Sequence, residues 1–446
     1  MHIRPRVPAA VVLSCLMGAS LAVPASAAEP APENEQRKVS VEYFTGPGAK
    51  GRHTEVPATA PARRSLLRSA TPAPDEASVS ALAENGPVGA RLDLVVMGDG
   101  YTATEQGDFE ADAQAKVKAI FQIEPYKSYR ELFNVWIVNA VSNESGVTGD
   151  TSRDSVKDTA LSSYFWCAET ERLLCVDTDK VSTYAAQAPA ADIVFVLANT
   201  TKYGGAGYSG VENSVGYDGI ATMSSDNAQS ALIGAHELGH SIGHLADEYT
   251  YPSLGTYTYD EPVEANASVH DAAQQNTQRT KWWRWLGEAD PAGGTVGTYE
   301  GSYYYPLGIY RPTENSLMRA LNTDTFNLVG REAMIGGFYR YAKTLTSTLP
   351  TDREIGLSTP IRVDLTRLGA SDIADVELRW YVDGVEVRQA RGIETVDARR
   401  LGVHKLRGST HTVTARAVDT TDAIRDPAVR EATETSLSWT VRGHRH

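Results

Sequence analysis

Cysteine is nearly absent from this chain. Three occur in 446 residues, and Cys15 falls inside an apolar N-terminal run, which leaves Cys167 and Cys175. So few exclude a scaffold stapled by many disulfides. They also exclude a zinc site built on thiolates, because two isolated cysteines supply half of the ligands needed. Positive charge is in deficit as well. With 42 Lys and Arg against 56 Asp and Glu, the formal net charge is −14, which argues against a nucleic-acid partner. Beyond Val23 no run is apolar for long enough to span a membrane. Gly204-Gly205-Ala206-Gly207 lacks the Lys-Ser/Thr pair of a phosphate loop and reads as a flexible turn near a cleft.

What is present begins with an address. Arg4 and Arg6, the apolar stretch Val11 to Val23 and the small residues Ala25-Ser26-Ala27 make residues 1–27 a signal peptide, so the mature protein is expected to be secreted and extracellular. In that oxidising setting Cys167 and Cys175, with seven residues between them, are expected to form a disulfide. About 420 mature residues are too many for one core, which implies two or three domains. Residues 28–89 are rich in Pro, Ala and Ser and read as a loosely attached extension with one short strand, Val39 to Phe44. A propeptide that is later removed is compatible with this, although no cysteine switch is present.

Residues 90–349 alternate between two kinds of segment. Leu92 to Met97, Phe133 to Val141 and Asp192 to Leu197 are apolar runs suited to buried strands, and Thr104 to Phe121 suits a helix. An α/β catalytic domain follows from this alternation. Residues 350–446 change character. Ile361 to Leu365, Val376 to Val382, Thr412 to Ala417 and Ser436 to Val441 alternate as strands, with Asp383-Gly384 as a hairpin turn, which predicts an all-β immunoglobulin-like sandwich.

The chemistry is concentrated in His236 to Tyr249, which reads HELGHSIGHLADEY. Residues four apart share one face of a helix, so His236 and His240 can hold a single zinc ion. Glu237 lies beside that face, where its carboxylate can reach a water activated by the metal and act as general base. Gly243 is expected to take the left-handed conformation that ends the helix. A third ligand should follow. Where the metzincin spacing places a histidine, position 246 is Ala, and Asp247 is the first carboxylate that a return turn delivers. His244 sits too near the turn, and Glu248 is the alternative ligand or a partner of one.

Beyond this motif the chain resembles the IgA peptidase family of zinc metallopeptidases, metallopeptidase family 64, which is related to the metzincins. The resemblance is carried by Leu92 to Tyr101, Phe133 to Trp136, Ser142 to Gly146, Tyr203 to Gly207 and His236 to Tyr249, in that order. Arg311 to Arg319 is similar to the segment that carries the methionine turn, which would place the Met318 thioether beneath the metal. The resemblance implies a zincin/metzincin-like catalytic domain and a Zn2+-dependent endopeptidase acting on protein or peptide substrates. Tyr303 to Tyr310 and Arg319 are candidates for substrate contacts. Nothing in the sequence names a substrate, and a monomer is the expected form. The alternative is a surface-associated protein that binds protein or glycan through an inactive peptidase-like domain, against which the intact Glu237 argues.

Overall fold

The alternating stretch near the N-terminus forms strand β1 (Lys38–Phe44), which turns back into β2 (Gly51–Pro57). In this computed structural model the described residues are 37–46, 48–59, 78–368, 376–403 and 410–442, so the expected leader and Cys15 lie outside them. The expectation of a loosely attached extension fails for the hairpin. Val41 and Phe44 are fully buried, and β1 pairs along its inner edge with a strand of the large central sheet. Apolar residues on both faces of the strand explain this, because such a segment gains more from burial than from solvation. Strand β3 (Val79–Ala83) also joins that sheet.

The apolar runs become strands as their composition requires. Strand β4 (Leu92–Asp99) is buried throughout. Helices α1 (Gln106–Ile120) and α2 (Tyr126–Tyr129) lead from it to the parallel strand β5 (Phe133–Val138). Helix α3 (Thr178–Ala185) precedes β6 (Ile193–Ala198), which lies parallel to β4 on its other side. Strands β7 (Gly205–Ser209) and β8 (Gly219–Ser224) complete an eight-stranded mixed sheet of order β2-β1-β7-β8-β6-β4-β5-β3. Two buried carboxylates of β4 knit this sheet to its surroundings. Asp93 accepts hydrogen bonds from Asn134 (2.9 Å) and the Trp136 indole (2.8 Å), and buried Asp99 accepts from the Thr159 hydroxyl and the backbone N–H groups of Leu161 and Ser163. Cys167 and Cys175, on the loop after β5, are bonded to each other with an S–S distance of 2.13 Å.

After β8 come helix α4 (Ser230–Ser241), α5 (Ala272–Gln278), the antiparallel pair β9 (Tyr299–Ser302) and β10 (Tyr305–Arg311), and α6 (Leu328–Tyr341). Toward the C-terminus five of the described strands make one sheet, in the order Ile355–Gly356, Thr435–Arg442, Thr410–Asp419, Val376–Val382 and Val385–Glu386. Asp383 and Gly384 both have positive φ, as a two-residue hairpin turn demands. The stretch Ile361 to Leu365 differs from the single strand expected. Ile361–Arg362 pairs with Thr395–Val396, whereas Asp364–Leu365 pairs with Leu345–Thr346, so the chain changes partners within it.

Arg37 to His446 cluster as one unit. A single buried apolar cluster runs from Leu92 through Leu238, Ile242 and Phe338 to Trp380 and Trp439, whose indoles stack with centroids 6.2 Å apart. The Tyr129 and Tyr339 hydroxyls donate to buried Asp419 at 2.8 and 3.0 Å, adding a polar seam between the same regions.

Candidate metal centre

The glycines of helix α4 let it pack closely, and its buried face carries the motif. A Cβ on Gly234 would meet the Met223 side chain at 2.5 Å, and one on Gly239 would meet the Met318 sulfur at 2.5 Å. His236 and His240 therefore lie on a face held tightly against the protein, their rings edge to face with centroids 4.8 Å apart. The left-handed residue comes one position later than expected. His244, not Gly243, takes the left-handed conformation (φ 47°), and its N–H bonds to the His240 carbonyl at 3.1 Å. Gly243 is needed for a different reason, since a Cβ there would meet the Met334 sulfur at 2.5 Å and the Gly239 carbonyl at 2.7 Å. His244 itself is exposed and takes no part in the site.

The turn returns Asp247 to the two histidines and sends Glu248 away, as alternating side chains in an extended segment must. Asp247 Oδ1 lies 3.3 Å from His236 Nε2 and 3.4 Å from His240 Nε2, and Asp247 Oδ2 accepts from the Tyr304 hydroxyl at 2.7 Å. Buried Glu248 is pinned elsewhere, accepting from Asn266 (3.0 Å), Asn327 (2.9 Å) and the Ser316 hydroxyl (2.6 Å). The Met318 segment closes the floor. Its carbonyl accepts from the Glu248 N–H at 2.9 Å, and the neighbouring Leu317 carbonyl faces His236 Nδ1 at 2.9 Å.

A fourth group arrives from far away in sequence. Glu42 of β1, 4% exposed, places Oε2 3.3 Å from His236 Nε2 and 3.1 Å from His240 Nε2, while its Oε1 accepts from the Tyr249 hydroxyl at 2.8 Å. One ligand atom from each of Glu42, His236, His240 and Asp247 falls within 4.8 Å of the others.

The donor set fits a cation. Carbonyls only accept, so the Leu317 and Leu245 carbonyls, 2.9 and 2.7 Å away, require both histidines to carry their protons on Nδ1. The Nε2 lone pairs then face each other at 3.1 Å beside two carboxylates, a concentration of negative charge that calls for a positive centre. Asp247 Oδ1 and Glu237 Oε1 are buried without a hydrogen-bond partner among the described residues. The proton affinities express the same demand. Burial alone would lower the His236 pKa, but the facing carboxylates of Glu42 and Asp247 push it up to about 10. Burial and Asp247 would raise Glu42, yet the histidines bring it down to about 2. Glu237 moves the other way, pushed up to about 8 by burial and by the Glu42 charge.

Glu237 points into a cavity of about 170 Å3 lined by Glu42, His53, Gly207, His240, Asp247 and Tyr304 among others. Its carboxylate rests against the backbone of β7. A Cβ on Gly207 would overlap it, so the glycines read as a flexible turn instead form a strand that lets the helix approach.

A family model described as IgA peptidase M64 matches residues 80–292 and 288–338, more than half of the chain. The chain belongs to the IgA peptidase family. A search of the curated proteins finds no match.

The IgA peptidase match encloses His236, Glu237, His240 and Asp247, which converge here, and Met318, whose sulfur packs against Gly239 of the same helix. It begins after β1 and β2, which supply Glu42 and His53. Sequence reasoning missed these two and Tyr249. No local signal set Glu42 apart, because it shares the polar face of an alternating strand with Lys38 and Ser40. Of the tyrosines proposed for substrate contacts, Tyr304 reaches Asp247. Arg319 instead pairs with Glu314 at 3.3 Å, away from the cavity.

Proposed function

We propose that this IgA peptidase family member is a secreted, zinc-dependent endopeptidase, with His236, His240 and Asp247 as the metal ligands and Glu237 as general base. The observation that carries this reading is the convergence of both Nε2 atoms and Asp247 Oδ1 beside the unpartnered Glu237 Oε1. Zinc held there would supply Lewis-acid polarisation of the scissile carbonyl and lower the pKa of the attacking water. Glu237 accepts the proton of that water and delivers it to the departing amine. Its burial, with Oε1 free of any hydrogen-bond partner among the described residues, suits a group that must both take and give a proton. Leu317 and Leu245 hold the imidazoles in the tautomer that turns Nε2 inward, and Tyr304 orients Asp247. The leader at residues 1–27 supports secretion, and the alternating C-terminal strands support an immunoglobulin-like module that stabilises or positions the catalytic region.

The test is a casein and peptide-library digest with and without a zinc chelator, with metal analysis. Glu237→Gln is compared with its parent in the unaltered chain and in a Glu42→Ala background, so that Glu42 in the site does not mask the result. Loss of the base should lower turnover on the order of a hundredfold or more with zinc retained. Near-parental turnover by Glu237→Gln would refute the assignment.

A further inference from the structure

We propose that β1 is a built-in occupant of the catalytic cleft, with Glu42 holding the position at the metal centre that substrate has to take. This rests on the metallopeptidase reading above. A catalytic zinc site keeps one position open beside three protein ligands, whereas four protein ligands make a closed site. His236, His240 and Asp247 already make three, all within the family match, and Glu42 is a fourth from outside it. Its Oε2 is as near to the imidazole nitrogens, 3.1 and 3.3 Å, as Asp247 Oδ1 is at 3.3 and 3.4 Å.

The backbone of β1 tells the same story as its side chain. It runs antiparallel to β7, with Glu42 opposite Gly207, the residue against which the general base rests. An extended segment added to a sheet edge is a recurring way for a protein to hold a peptide. Here the chain places its own segment along that edge, and at the point nearest the base presents a carboxylate, which has no peptide bond to cleave.

The fit is built on both sides. The Tyr249 hydroxyl fixes Glu42 Oε1 at 2.8 Å. Across the hairpin Gly51 leaves the space, since a Cβ there would run into the Glu42 carboxylate and meet the Tyr249 hydroxyl at 2.7 Å. The β1–β2 hairpin is thus a self-inhibitor, and the ligand that competes with it is an extended peptide.

The experiment uses the zinc-loaded full chain, Glu42→Ala and Glu42→Gln, with circular dichroism to confirm folding. The probe is a small peptide hydroxamate, which chelates zinc, followed by calorimetry. Metal content and peptide hydrolysis are read in parallel. Both variants should keep about one zinc per chain, because three ligands remain. Hydroxamate should bind them roughly tenfold or more tightly than the unaltered chain, whose affinity is reduced by the fraction of molecules with Glu42 out of the way. Hydrolysis should rise in parallel. Loss of zinc from both variants would make Glu42 a permanent ligand and overturn the proposal, as would unchanged hydroxamate affinity. Tighter hydroxamate binding without cleavage of any peptide would uphold the block and sink the peptidase reading. An unaltered chain as active and as hydroxamate-competent as its variants would do the reverse.

Discussion

Asp247 and Glu248 are adjacent, acidic and buried, yet their replacement by alanine should fail in opposite ways. Glu248→Ala removes the acceptor for Asn266, Asn327 and the Ser316 hydroxyl. Three hydrogen bonds to a charged group are lost, but so is the cost of burying that charge, which shows in the upward pKa shift that burial imposes on Glu248. Asn266 keeps its bond to the Ala246 carbonyl at 2.8 Å, and Asn327 keeps Thr313 at 3.2 Å, so neither donor group is wholly stranded. The net loss of stability should be about 2–4 kcal/mol, with metal retained in the folded protein. Asp247→Ala takes the acceptor from the Tyr304 hydroxyl and one of two carboxylates from beside the histidines, while the hydrogen bonds around Glu248 stay intact. Its zinc affinity, however, should fall by more than about a hundredfold, beyond the effect of residues that merely support a ligand. Urea unfolding in excess chelator measures the first quantity, and competition with a fluorescent zinc chelator measures the second. Zinc loss on Glu248→Ala together with retention on Asp247→Ala would exchange the two roles and refute the reasoning.

Two further outcomes are expected. Gly207→Ala puts a methyl group where the Glu237 carboxylate rests, so in the Glu42→Ala background it should lower kcat on the order of tenfold to a hundredfold while zinc stoichiometry holds; unchanged kcat would show that the base lies elsewhere. Replacing Cys167 and Cys175 by serine opens a short loop and should lower stability by about 2–3 kcal/mol; two free thiols in the unreduced, denatured parent would show that no bridge exists to be lost.

Residues that declare themselves locally were legible in the sequence. The i, i+4 spacing of His236 and His240 needs only helix geometry, and the alternation after the turn separates Asp247 from Glu248. The apolar runs of β4, β5 and β6 reveal buried strands, though not their order in the sheet. What stayed hidden depends on distant contact. Gly207 was misread because its lack of a side chain serves the approach of α4, which lies later in the chain and leaves no mark on the strand's own sequence. Glu42 sits 194 positions before His236, and nothing in its pentapeptide says which carboxylates or imidazoles it will meet. Residues 350–446 change character in the sequence, but Trp380 and Trp439 pack into the same apolar cluster as Ile242 and Leu238 of the motif region.

That shared cluster links occupancy of the centre to the folding of strands far from it. Opening the C-terminal sheet would expose part of the apolar cluster that also buries Leu238 and Ile242, so the regions should unfold in one cooperative transition. A cation bound only by the native arrangement then stabilises all of it, by about 2.7 kcal/mol at a hundred times its dissociation constant. The stacked indoles of Trp380 and Trp439 would thus serve as an optical gauge of whether the distant histidines are loaded.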